Sequence, residues 1–218
     1  MKQNDKKDLL LDVYQLLSKK FGPQHWWPGD SPFEIIIGAI LTQNTNWQNV
    51  EKAINNIKKA GLMNPKSLLA NRKKIPQLIK PSGFYRLKAD RLITFLKYFV
   101  EEYNGNIENF NGLDTNSIRL ELLAISGIGP ETADSILLYA LNRPVFVVDA
   151  YTKRIFSRHK LISNDADYDG VQNFFQENLP KSVKLYNEYH ALIVRLGKQY
   201  CKKNEPLCDT CPLYILFS

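Results

Sequence analysis

Residues able to do chemistry fall into a few short stretches of this sequence. In Leu122-Leu123-Ala124-Ile125-Ser126-Gly127-Ile128-Gly129-Pro130, an apolar helical pattern runs into a Gly-Ile-Gly turn, and a second apolar pattern follows from Ala133. Neither Gly127 nor Gly129 carries a Cβ, so the backbone can turn tightly and approach another molecule closely. The helix that opens at Pro130 points unpaired N–H groups and a positive dipole end outward, which suits a phosphate. Read alone, the same turn is a short connector between two helices. A lone carboxylate, Asp149, follows the apolar run Pro144-Val145-Phe146-Val147-Val148, and by itself it reads as the N-cap of a helix starting at Ala150. The 3 cysteines, Cys201, Cys208 and Cys211, are grouped like metal ligands rather than spread as a disulfide framework. The 3 tryptophans, Trp26, Trp27 and Trp47, offer flat π-faces that stack on rings and attract cations.

These residues must be positioned by helices. Leu9, Leu10, Val13, Tyr14 and Leu17 recur at helical spacing until Gly22-Pro23 stops them. Ser31-Pro32-Phe33-Glu34 places a cap serine, a proline at the first helical position and a glutamate at the third, a capping box opening a helix over 33–41. The same periodicity predicts helices near 50–57, 87–100, 118–124, 132–141, 151–159, 171–175 and 185–196. Only residues 144–148 resemble a strand, and with no second strand to pair they read as a buried extended connection. The fold class is therefore all-α.

Composition bounds the class of partner. The 218-residue chain is 44% hydrophobic and 23% charged, ordinary for a globular protein able to bury a sizeable core. Its net charge of +7 favours a polyanion. No apolar run approaches the roughly 18 residues that span a bilayer, and the polar start of the chain reads as no export signal, so a cytoplasmic protein, and a monomer, is expected.

The combination of Leu123, Ile125, Gly127-Ile128-Gly129, Ala133, Val148-Asp149 and Arg154 resembles the helix-hairpin-helix and aspartate of the endonuclease III superfamily of DNA glycosylases. Within it, Trp26-Trp27-Pro28, Phe33-Glu34, Gly38-Ala39, Leu41-Thr42-Gln43-Asn44-Thr45, Pro81-Ser82-Gly83-Phe84-Tyr85, Lys88-Ala89 and Arg91-Leu92 are similar to the 3-methyladenine DNA glycosylase III group.

That resemblance implies a two-lobed helical glycosylase fold: a central lobe over 24–135 with the hairpin motif at about 118–141, and a second lobe from 1–23 with 136–218, ending in the cysteine-containing loop. It implies double-stranded DNA with a damaged base as partner and alkylated purines as substrate. Asp149 becomes the catalytic carboxylate, placed to stabilise oxocarbenium charge on the deoxyribose and to orient or deprotonate water. Where bifunctional members carry a lysine nucleophile, this chain has Glu131, which forms no imine and implies hydrolysis without strand cleavage. Trp26 and Trp47 fall where relatives sandwich the extruded base, with Trp27 beside them and His25 next to the tryptophans. Asn44 and Gln43 fall where relatives fill the gap left in the duplex, Asn44 aligning better, and Gly127, Ile128 and Gly129 hold the DNA backbone. Cys201, Cys208 and Cys211 match three ligands of the superfamily's [4Fe–4S] motif, but the fourth place is Phe217, so a cluster with an open iron or an exogenous fourth ligand and an empty remnant all fit the thiols present. His159 and His190 read as structural histidines. The same scaffold also serves mismatch uracil or thymine removal and non-catalytic DNA binding.

Overall fold

The computed structural model describes residues 3–217, all helix and irregular connection, with no strand among the described residues. The all-α expectation holds. No helix is long and apolar enough to cross a membrane among the described residues. The chain divides into two compact units, Pro28–Arg143 and a second built from both chain ends, up to Trp27 and from Pro144 onward.

The unit Pro28–Arg143 contains α2 (Pro32–Leu41), α3 (Trp47–Lys59), α4 (Pro65–Ala70), α5 (Ile75–Leu78), α6 (Tyr85–Tyr103), α7 (Thr115–Ala124) and α8 (Pro130–Ser135). The last of these winds on through one π-helical stretch, Ile136–Ala140. In α2 every residue except Pro32 and Ile35 is buried, as befits a helix that is apolar on all sides and packs against α3, α6 and α8. Its cap follows the sequence halfway. Ser31 Oγ accepts from the Glu34 N–H at 3.2 Å, but the Glu34 carboxylate reaches Asp30 N–H at 3.2 Å rather than closing the box on Ser31. Lys58 explains the shift, since its ammonium holds Glu34 at 2.7 Å and Asp30 at 2.8 Å. The short helices α4 and α5 were invisible to periodicity because neither runs long enough to repeat an apolar face.

The other unit holds α1 (Gln3–Phe21), α9 (Ala150–Arg158), α10 (Tyr168–Asn178), α11 (Val183–Gln199) and the short α12 (Tyr214–Phe217). Here α1 packs on α10 and α11, and α9 lies against α11. Residues 144–148 are extended and Val145, Phe146, Val147 and Val148 are buried, as their sequence predicts. A buried extended segment without a partner strand must satisfy its backbone elsewhere. Side chains of α10 do this: Gln172 donates to Phe146 O at 2.7 Å, Phe146 N–H donates to Gln176 at 3.1 Å, and Val148 N–H donates to the Tyr168 hydroxyl at 3.3 Å. The Phe146 ring stacks on Phe175 at 4.0 Å between centroids. The segment thereby delivers Asp149 at a defined point.

Candidate functional site

Asp149 is the N-cap of α9, with extended backbone at φ −119° and ψ −178°. Its Oδ1 accepts from the Thr152 N–H at 2.7 Å and from the Thr152 hydroxyl at 2.8 Å. Its Oδ2 lies 3.6 Å from Nε2 of His190, on α11, and the Asp149 side chain is 11% exposed. Burial pushes this carboxyl up, but His190 and the two Thr152 donors together outweigh burial and hold it below its ordinary range. The product is a charged carboxylate, immobilised through one oxygen and set against an imidazole with the other.

The roll of α9 that aims this carboxylate is set by its crossing with α11. Gly197 accepts the Tyr151 ring so closely that a Cβ there would fall 2.3 Å from a ring carbon. Arg154 lies over the same ring at 4.9 Å and donates to Gly197 O at 3.2 Å and Cys201 O at 2.9 Å. The helix that carries His190 also pins the segment leading to the tryptophans, through Gln24 N–H to Glu188 at 2.8 Å and Arg195 to Gln24 Oε1 at 3.0 Å. Trp26 and Trp27 are half-buried and meet edge to face, 5.4 Å apart at 63°. His25 beside them is exposed with a left-handed φ of 51°.

The glycine hairpin belongs to the unit Pro28–Arg143, between α7 and α8. The two glycines do different work. Gly127 has φ +89°, and a Cβ on it would meet Arg91 Cγ at 2.4 Å, so the chain itself requires glycine there. Gly129 has φ −92°, which any residue adopts, and a Cβ on it would meet nothing within 4 Å. Both are exposed, whereas Ile128 is buried and its N–H is bonded to Ile125 O at 3.0 Å, so Ile128 holds the turn from beneath. Glu131 is exposed in the first turn of α8.

The loop after α2 reaches this hairpin. Gln43 Nε2 donates to Thr132 Oγ1 at 2.9 Å and to Gly127 O at 3.2 Å, and its Oε1 accepts from Arg91. Its neighbour Asn44 is exposed with a left-handed φ of 52°, and Trp47 is half-buried at the start of α3, capped by Asn46. Two residues of this unit, quoted above only for their family resemblance, stand out in the structure. Phe84, at φ 44° just before α6, is 72% exposed, an aromatic left in water at a loop tip. Lys88 is 1% exposed, and its ammonium donates to Leu41 O at 2.9 Å and Ser82 O at 2.6 Å. Burial and then the Arg91 charge push it down to about 8. The breakers Pro81-Ser82-Gly83 around an aromatic were the available signal for Phe84. His190, which the sequence marks only as a structural histidine, faces Asp149, and nothing in a helical run of apolar residues marks which turn does so.

The cysteines do not complete a four-thiolate site. Cys201 is buried and takes a bond from Arg158 at 3.3 Å, while Cys208 is exposed on a 3-10 turn, Cys208–Thr210. Phe217, at the fourth place, stacks on His159 at 4.0 Å and 24°. Among the described residues no group of three or more His, Cys, Asp or Glu side chains is arranged to hold a metal. An aromatic ring engaged in stacking cannot supply a fourth thiolate, so the four-thiolate set usual for a [4Fe–4S] cluster is incomplete among the described residues.

Comparison with known proteins agrees with the all-α fold. A family model described as "HhH-GPD superfamily base excision DNA repair protein" matches residues 37–181. MJ1434 of Methanocaldococcus jannaschii, named provisionally as a DNA repair glycosylase, is 50% identical over 216 residues, covering 98% of this chain and 97% of that one. The crystal structure of H. pylori 3-methyladenine DNA glycosylase (MagIII) bound to 1,N6-ethenoadenine superposes with a TM-score of 0.74 at 33% identity, covering 91% of this chain and 98% of that one. A trapped endonuclease III–DNA covalent intermediate shares the fold, with a TM-score of 0.81 at 24% identity over 96% of this chain and 94% of that one.

Proposed function

Because this chain belongs to the HhH-GPD superfamily of base excision DNA repair proteins and is a DNA glycosylase of that family, we propose that it is monofunctional. On this reading it hydrolyses the N-glycosidic bond of alkylated purines, 3-methyladenine foremost, in duplex DNA. The observation that carries the reading is the Asp149 carboxylate, held charged and fixed through Thr152. As the base departs, positive charge grows on the deoxyribose, and a fixed anion lowers that barrier without reorganising. The same carboxylate orients the attacking water and takes its proton, the free base leaving with the bonding electron pair. An alkylated purine already carries positive charge and leaves readily, so the protein needs faces for it rather than an acid. Trp47, and separately Trp26 with Trp27, supply such faces.

Hydrolysis rather than strand cleavage follows from Glu131, which offers no amine to the sugar. Incubation with a panel of lesion-containing duplexes, with and without alkali, tests this directly. Product strands are expected intact until alkali is added, and alkylated purines are expected to be released first. A covalent adduct trapped by borohydride, or release of uracil or thymine from mismatches in place of alkylpurines, would replace the reading.

Trp47→Ala is expected to reduce excision of cationic alkylpurines by about 5- to 160-fold, the equivalent of the 1–3 kcal/mol that stacking contributes per base. Affinity for undamaged duplex should stay near wild type, because only the extruded base meets the ring. A parallel fall in thermal stability would return Trp47 to an ordinary packing role.

A further inference from the structure

Three loop tips of the unit Pro28–Arg143 are tied together by one face of α6. Lys88 and Arg91 lie three residues apart and so share that face. Lys88 joins the last carbonyl of α2, at Leu41, to Ser82 in the loop that ends at Phe84. Arg91 lies beneath Gly127 and bonds Gln43, whose amide returns two bonds to the hairpin, at Gly127 O and Thr132. The loop bearing Asn44, the loop bearing Phe84 and the Gly-Ile-Gly turn therefore share one set of polar ties.

Stability alone does not explain these residues. Two like charges on one helix face, one of them fully buried, cost free energy that apolar side chains of similar volume would not. Arg91 Nε is moreover buried without a hydrogen-bond partner among the described residues. What cations offer and hydrocarbons lack is direction, since each N–H fixes the carbonyl it meets in distance and angle.

We propose that Arg91 and Lys88 are positioning residues that hold the hairpin and the Asn44 and Phe84 loops in one register, with Gln43 as the adaptor between α6 and the turn. When the hairpin grips the DNA backbone, that register sets Asn44 and Phe84 against the same base pair, so that binding energy is directed into extruding the base. Gln43 on this account acts within the protein, and Asn44 meets the duplex. The inference rests on the glycosylase reading for its DNA partner, but not on which base is excised.

The test separates binding from extrusion. Wild type, Arg91→Met, Arg91→Lys, Gln43→Leu and the Arg91→Met/Gln43→Leu double variant are compared by anisotropy on an undamaged duplex and by 2-aminopurine fluorescence beside the target position. Single-turnover excision and thermal melts accompany them. Arg91→Met and Gln43→Leu are each expected to bind undamaged duplex within about threefold of wild type, yet to lose roughly tenfold in extrusion and in excision. The double variant should be no worse than either alone, because residues in one network do not add. Arg91→Lys should recover part of the loss. Binding and extrusion that fall by equal factors, additive losses in the double variant, or a wild type that extrudes no base would overturn the proposal. Gln43→Leu leaves α6 unchanged and decides the matter even if Arg91→Met does not fold. Intact extrusion with no release of alkylpurines would count against the substrate reading alone.

Discussion

Replacing Asp149 by Asn is expected to slow single-turnover excision by about two to four orders of magnitude, the range for losing a transition-state charge partner or general base. The substitution isolates the charge. Asparagine caps helices as well as aspartate, so Oδ1 can still accept from Thr152 N–H and α9 should keep its start. Duplex affinity should also survive, because removing an anion from a DNA-binding protein does not weaken its attraction to phosphate. The pH dependence gives a second reading of the same group. The folded carboxyl is held below the ordinary aspartate value of 3.8. Its contribution to stability is therefore fully present above that value and is lost as pH falls through the lower folded one. Wild type should accordingly lose stability more steeply than Asp149→Asn below pH 3.8, and protonation of Asp149 should not limit excision above it. Near wild-type turnover in the variant would remove Asp149 from the mechanism, and equal acid sensitivity would show that His190 and Thr152 do not hold it charged.

Gly129→Val is expected to weaken binding to every duplex by about 10- to 160-fold, matching the 1.5–3 kcal/mol typical of a hydrogen bond to a charged group. The order of lesion preference should not change, because a backbone–phosphate contact carries no base information. The geometry makes this variant informative. Gly129 has an ordinary φ and open space around an added Cβ, so a side chain there chiefly obstructs what comes from outside. Gly127→Val is the contrasting control. A left-handed φ and the Arg91 side chain both oppose it, so it should destabilise the fold as well as binding. Binding by wild type should fall steeply as salt rises, given the net charge of +7. A folded Gly129→Val protein with wild-type affinity would reduce the turn to a connector between α7 and α8.

Much of this molecule was legible in the sequence because its signals are local. Apolar spacing marked the long helices, Ser31 and Asp149 marked the starts of α2 and α9, and the run at 144–148 declared itself buried and extended. The absence of a fourth cysteine at Phe217 needed only counting. Each of these depends on residues within a few positions of one another, where backbone geometry alone decides who meets whom. The remainder depended on packing between distant stretches. His190 comes within 3.6 Å of Asp149 because α9 crosses α11 at Gly197, a fact no spacing encodes. The capping box of α2 opens toward Asp30 because Lys58 arrives from α3. Which glycine of the hairpin the fold itself requires was settled by Arg91, a residue on another helix. Sequence periodicity reports which face of a helix is apolar, and only the tertiary structure decides which neighbours that face, and the polar atoms at its edge, will find.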